Sequence, residues 1–389
     1  MMKLPPEIVV IIAHFLDTAS LDSFRRTSKF NRWASKPAYA ACHFSALELD
    51  FSSESLNRLS KVADDECYRS YVRELLVVVR PLREYWAPGN WSLQADNSFF
   101  HLAAPKSRMV VQAISTFHHC TSVSILEPCP VPVRPDQHPP PLSTLNATFL
   151  VLSTLRLEDG PPFKKVSILD RTPWSVAPGP LHTTHALGVM ASSPIFAKHW
   201  GLVEDFRFHP IALSLRSGIL MSLPLHVLTS LDLFIFKTIA SPLAACILYC
   251  SNTLRSLKLR DCWMSTGLPG WKGFFVKMLE GTFPHLEDIS FRGLKGLWQD
   301  SFYFMCFSRM LLHPMSLVAC GGRFEVEPIT ALPHLFSNVR YVGSPASMRA
   351  VFELLGGAIS MTRNVPVETP EWWEARFQSL EGVVYRVDP

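Results

Sequence analysis

The chain has 389 residues, enough for two domains or one elongated one. Hydrophobic residues make up 48% and charged residues 18%, which excludes a disordered chain and supplies a sizeable core. A net charge of +4 excludes the dense Lys/Arg stripe of a dedicated nucleic-acid binder.

Nine cysteines, an odd number without a Cys-x-x-Cys pair, argue against a secreted disulfide framework. A reducing compartment, cytoplasmic and/or nuclear, is expected instead. No apolar run approaches the length of a membrane span. Ile8 to Ala13 follows Met1-Met2-Lys3 somewhat as in a signal peptide, but Pro5, Pro6 and Glu7 break the approach and His14 and Asp17 follow closely.

Residues 4 to 40 predict three short helices. Pro5 and Pro6 suit a first helical turn, and Glu7 favours the positive end of the helix dipole. Ile8, Ile12, Phe15 and Leu16 are expected on one face, with Val9 and Ile11 also apolar off it. A helix apolar most of the way round must be buried most of the way round. Asp17, Thr18 and Ser20 break it and cap a second helix carrying Leu21 and Phe24. A third holds Phe30 and Trp33 and is expected to end before Pro37. So few residues cannot bury such a helix between them, so either the rest of the chain or a partner covers it.

Leu4-Pro5-x-Glu7-Ile8, followed by Ile12, Leu16, Leu21, Phe24 and Thr27-Ser28-Lys29-Phe30, resembles an F-box, in the form common among fungal F-box proteins. The match covers about a tenth of the chain. The resemblance implies a substrate-recognition adaptor of an SCF-type cullin–RING ubiquitin ligase, with no catalytic residue of its own. It implies contact with a Skp-type linker through Leu4, Pro5, Ile8, Val9, Ile12, Leu16 and Leu21. The alternative is a leucine-rich protein-binding scaffold without a ubiquitin role, in which residues 1 to 40 pack back onto the remainder.

Beyond residue 40 the pattern apolar-x-x-apolar-x-apolar recurs. The clearest cases begin at Leu228, Leu254 and Leu286, the second continuing to Cys262 and Met264. Others begin at Phe44, Val72, Cys120, Leu152, Val203 and Phe336. Three gaps are near twice the unit, as if a strand were missing from each. Pro242 to Tyr249 and Pro269 to Leu279 predict helices between strands, the latter opening on proline and closing near Gly281. The expected fold is α/β: a three-helix F-box over 1–42, then over 43–389 an irregular leucine-rich-repeat solenoid with a curved parallel sheet and outer helices. Residues 127–141 are read as a Pro-rich surface loop. Trp372 and Trp373 are expected to cover the last repeat.

Alternation along such strands points a second set of side chains outward. From residue 203 on, these include Arg207, Lys258, Arg260, Arg292 and Arg340 against Asp232, a positive bias that would suit an acidic or phosphorylated segment of an unknown protein substrate. No cofactor, metal, nucleic acid or membrane is expected. His118-His119-Cys120 lacks a second cluster with ligand spacing. Cys246 and Cys250 suit a buried helix face rather than a reactive pair. The chain carries no GxSxG elbow, P-loop or GxGxxG fingerprint.

Overall fold

The computed structural model describes residues 4–50, 52–78, 105–127, 162–170, 201–209, 225–234, 237–298, 301–308, 322–329 and 332–362. The chain opens with α1 (Pro6–Phe15), α2 (Thr18–Thr27), α3 (Lys29–Ala34) and α4 (Lys36–Phe44). Then come β1 (Ala46–Leu49), α5 (Ser53–Asp64), α6 (Glu66–Arg69), β2 (Glu74–Val78), α7 (Pro105–Ser115) and β3 (Ser122–Glu127). Next are β4 (Lys165–Asp170), β5 (Asp205–His209), β6 (Ser230–Phe234), β7 (Lys237–Thr238), α8 (Ala240–Tyr249), β8 (Ser256–Arg260), β9 (Trp263–Met264) and α9 (Gly267–Met278). β10 (Asp288–Arg292), β11 (Lys295–Trp298), β12 (Ser301–Ser308), β13 (Arg323–Ile329), β14 (Leu332–Val342), α10 (Met348–Ala358) and β15 (Ile359–Thr362) complete the described chain.

The N-terminal helices start where short polar side chains cap them. Asp17 accepts the Ser20 N–H at 2.7 Å, and Ser28 accepts the Asn31 N–H at 3.0 Å. α1 instead starts at proline, where a missing N–H costs nothing. α3 holds Phe30 and Trp33 and ends before Pro37, as expected, but a fourth helix follows it at once. Pro37 lies in the first turn of α4, a position proline tolerates, and α4 runs on to Phe44.

The molecule is mixed α/β, built on a mostly parallel sheet that does not close on itself. The path β1-β2-β3-β4-β5-β6-β8-β10 is parallel at every step. Leu47, Leu75, Val123, Val166, Phe206, Leu231, Leu257 and Ile289 stand in one register row across it. Leu49, Val77, Ile125, Ile168, Phe208, Leu233, Leu259 and Phe291 form a second, two residues on. Both rows are buried and face α5, α7, α8, α9 and α10, which add Leu59, Ile114, Ile247, Trp271, Phe274 and Phe352 to the same core. Just before the strands a backbone ladder links the turns. Arg73 N–H donates to Ser45 O, Thr121 to Arg73, Lys164 to Thr121 and Glu204 to Lys164. Thr229 then donates to Glu204, Arg255 to Thr229 and Glu287 to Arg255, all at 2.7–2.9 Å.

The strand over Leu152 to Leu157 lies outside the described residues. β4 instead follows the same pattern at Phe163, Val166 and Ile168 and pairs directly with β3 and β5. β2 likewise pairs directly with β3, and β10 with β14, so no strand is missing between those neighbours. The Phe336 segment is not another parallel strand: β14 runs antiparallel to β10 and pairs with β13 along its other side. That hairpin covers the edge of the parallel run, which would otherwise present unpaired backbone groups. Trp372 and Trp373, the expected cover, lie outside the described residues, as does the loop after Glu127.

A smaller ladder, β7-β9-β11, parallel at each step, bends away after β6, β8 and β10. At its root Lys295 Nζ lies 3.3 Å from Asp261, both buried. Gly293 has φ +57, and a Cβ there would come within 2.5 Å of Asp261 Oδ1, so only glycine lets the two turns approach. Among the described residues no helix is long and apolar enough to cross a membrane.

Candidate functional site

Two surfaces carry the residues singled out from sequence. The first is the outer face of α1. Leu4 (54% exposed), Ile8, Ile11 (52%) and Phe15 (86%) project from it at helical spacing. α3 packs against α1 and adds Phe30 and Trp33, the latter 65% exposed. Val9 and Ala13 take the opposite, buried face, with Leu16 packed beside Ala13 and Leu21. The expected face of Ile8, Ile12, Phe15 and Leu16 is therefore split: Ile8 and Phe15 point out, while Ile12 and Leu16 are half-buried. Of the expected contact residues, Leu4, Pro5 and Ile8 are exposed, whereas Val9 and Leu21 are buried in the module and cannot meet a partner. Ile11, Phe15 and Trp33, outside that expected set, are exposed beside them. The spacing 4, 8, 11, 15 was a signal for the first two, because it is as regular a stripe as the buried one. Beside them a groove of about 450 Å³ runs along α2, lined by Leu16, Ala19, Ser23 and Phe24 among others.

The second surface is the side of the sheet opposite the helices. Arg207 is exposed, Lys258, Arg260, Arg292 and Arg340 are partly buried, and all alternate with the buried rows, as expected. The excess of positive charge is smaller than expected, and most of the cations are paired. Each strand begins one outward position earlier, and those positions hold Asp205 and Asp288. Arg260 donates to Asp232 from Nε and Nη2, at 3.1 and 2.6 Å. Arg340 donates to both Asp288 oxygens at 2.9 and 3.4 Å and to Glu325 at 3.3 Å. The hydrogen bond to Asp288 raises the Arg340 pKa further still. Lys258 lies 3.6 Å from the same Asp288, and Arg207 3.3 Å from Asp205. Arg292 stands between Arg260 and Asn338 in the register, and its Nε finds no hydrogen-bond acceptor among the described residues. Over β2 to β4 the same face is apolar at Leu76, Val78, Leu126 and Leu169.

Among the described residues no group of three or more His, Cys, Asp or Glu side chains is arranged to hold a metal ion. His118 and His119 sit in the turn after α7, and Cys120 is buried against the sheet, its thiol pushed up to about 12 chiefly by burial. Cys246 and Cys250 are buried on α8 and in the turn after it, and burial raises both thiols. Such thiols stay protonated near neutrality and are poor nucleophiles. The chain matches no family model and no curated protein.

Proposed function

We infer that the chain is a substrate-binding adaptor of an SCF-type cullin–RING ubiquitin ligase. In this reading α1 to α3 form an F-box that docks a Skp-type linker. The remainder is an irregular leucine-rich-repeat solenoid whose open strand face holds a protein substrate. The observation that carries the reading is the unburied apolar stripe Leu4, Ile8, Ile11 and Phe15, joined by Trp33, on a helix whose sequence resembles an F-box. Large side chains so exposed on one contiguous patch mark an interaction surface rather than a finished core. A scaffold that buried its N-terminal helices against its own sheet would have no use for such a stripe. The solenoid reading is supported by the two register rows, which repeat one apolar pattern from β1 to β10.

Co-expression of the full chain with a Skp-type linker tests the proposal. The two are expected to purify as one complex. Phe15→Ala should cost about 2 kcal/mol of binding, roughly a 30-fold loss, by removing a buried aromatic contact. Replacing Leu4 and Pro5 together by alanine should weaken binding through lost contact and a poorer helix start. A folded chain that does not bind the linker would remove the ubiquitin role and leave the scaffold.

A further inference from the structure

The N-terminal helices meet the sheet domain around a cavity of about 680 Å³ between α2, α4, α5 and α6, a volume in the range of small-molecule sites. Its apolar side is aromatic: Tyr39, Phe44 and Tyr68, with the Phe44 and Tyr68 rings 4.7 Å apart. Its polar side carries Arg25, Arg58 and Lys61 against a single carboxylate, Glu54. Among the described residues none of the three cations has an ion-pair partner. The two arginines are nonetheless held in place. Arg25 lies 3.9 Å above the Tyr39 ring and donates to Arg32 O at 3.1 Å. Arg58 lies 5.6 Å from the Phe44 ring centre and donates to His43 O at 3.3 Å. A guanidinium has five N–H donors, so each keeps donors for a ligand after these bonds.

We propose that this cavity binds a small organic phosphate, with the phosphate held by Arg58, Lys61 and Arg25 and the organic group along the edges of Tyr39 and Tyr68, whose faces Arg25, His43, Lys36 and Phe44 already cover. Charge and shape both point there. Three cations against one carboxylate leave two positive charges, and a phosphate monoester carries close to two negative ones at neutral pH. Arginine binds phosphate through paired N–H donors, and the ring edges beside them offer apolar contact to an organic group. The cavity lies apart from the α1 stripe and from the strand face, so the inference stands or falls independently of the ligase reading.

The test is calorimetric titration of the full chain with phenyl phosphate, inorganic phosphate, phenol and a short polyglutamate peptide. Phenyl phosphate is expected to bind about tenfold more tightly than inorganic phosphate through the added apolar contact. Phenol should give no heat. Arg58→Gln combined with Lys61→Gln should weaken phenyl phosphate about tenfold or more, as should raising NaCl from about 0.15 M to about 1 M. Both residues are exposed on α5, so the thermal melt of the double variant should match the parent and its linker binding should be unchanged. Equal affinities for phenyl phosphate in parent and variant would overturn the proposal. So would equal affinities for phenyl and inorganic phosphate, tighter binding of polyglutamate, or no binding at millimolar ligand.

Discussion

On the sheet face Arg207, Lys258, Arg260 and Arg340 each lie within 3.6 Å of a carboxylate, whereas around the α2–α5 cavity Arg25, Arg58 and Lys61 have no such partner among the described residues. The first group is more numerous and stands in regular rows, so it draws the eye in the sequence. The second is scattered over helices far apart in the chain. Yet an incoming acid gains little from a cation already neutralised by Asp232 or Asp288, because it must displace that carboxylate. A cation held by a ring and a carbonyl oxygen keeps its full charge for a ligand. Pairing, rather than a count of Lys and Arg, decides where an anion is drawn.

The comparison predicts where acidic side chains hold the structure. The largest effect is expected at Asp232, which accepts both Arg260 bonds with side-chain exposures of only 11% and 20%. Asp232→Ala leaves a largely buried guanidinium without its carboxylate, at a cost of about 2–3 kcal/mol once partial exposure is discounted. Combining it with Arg260→Met should recover much of that loss, as urea unfolding of the two variants would show. A single variant as stable as the parent would mean that the pair contributes nothing.

A smaller effect is expected at the junction's own ion pair. Lys36 Nζ donates to both Asp65 oxygens at 2.9 and 2.7 Å, at the foot of α6. Burial pushes the Asp65 carboxyl up, but the Lys36 hydrogen bond and the Tyr68 N–H together outweigh it, leaving its pKa below the ordinary 3.8. A depressed folded-state value stabilises the fold above the unfolded value, and that contribution is lost as pH falls through the folded one. Lys36 behaves in mirror image: the Asp65 hydrogen bond raises it above 10.5, so its share is present below that value and lost as pH rises through the folded one. Both groups are about a third exposed, so the pair is worth only about 0.5–1 kcal/mol. Melting curves against pH should show the acid-side step shrink in Asp65→Asn, and an unchanged curve would remove Asp65 from the account.

Much of the parallel sheet was legible because an apolar pattern with a fixed internal period leaves a mark in every strand. β4 escaped although Phe163, Val166 and Ile168 fit the template, since the neighbouring stretch is rich in proline, serine and histidine and a competing match lay at Leu152. β14 fitted the template at Phe336 but runs the other way, and direction is not encoded in a six-residue pattern. The split of α1 into exposed and buried stripes was readable only as an ambiguity, because both are apolar and only the packing of Ala13 against Leu21 and Ala38 chooses between them. The face carboxylates Asp205 and Asp288 escaped because the outward positions were read between and after the last two apolar residues of each pattern, and these two precede them. The junction cavity left no local trace: Arg25, Tyr39, Arg58 and Tyr68 come together only once α4, unseen behind Pro37, bridges the helices and the sheet.

The sharpest way to break the contrast is to convert one region into the other. Asp288 is shared by Arg340 and Lys258 and also accepts the Ser256 hydroxyl at 3.4 Å. Asp288→Asn keeps the shape and removes the charge. Because both cations are more than a third exposed, stability should fall by no more than about 1 kcal/mol. Among the described residues Lys258 would lose its carboxylate, Arg340 would keep only Glu325, and Arg292 stands on the next strand with its Nε already lacking an acceptor. That cluster should then bind an acidic peptide that the parent binds at least several-fold more weakly, with the gain abolished by salt, since exposed charges are screened within about 10 Å at 0.1 M. Fluorescence anisotropy of a labelled polyglutamate peptide would measure it. If parent and variant bind alike, internal pairing is not what restrains the sheet face, and the apolar part of that face at Leu126 and Leu169 becomes the place to look for substrate contact.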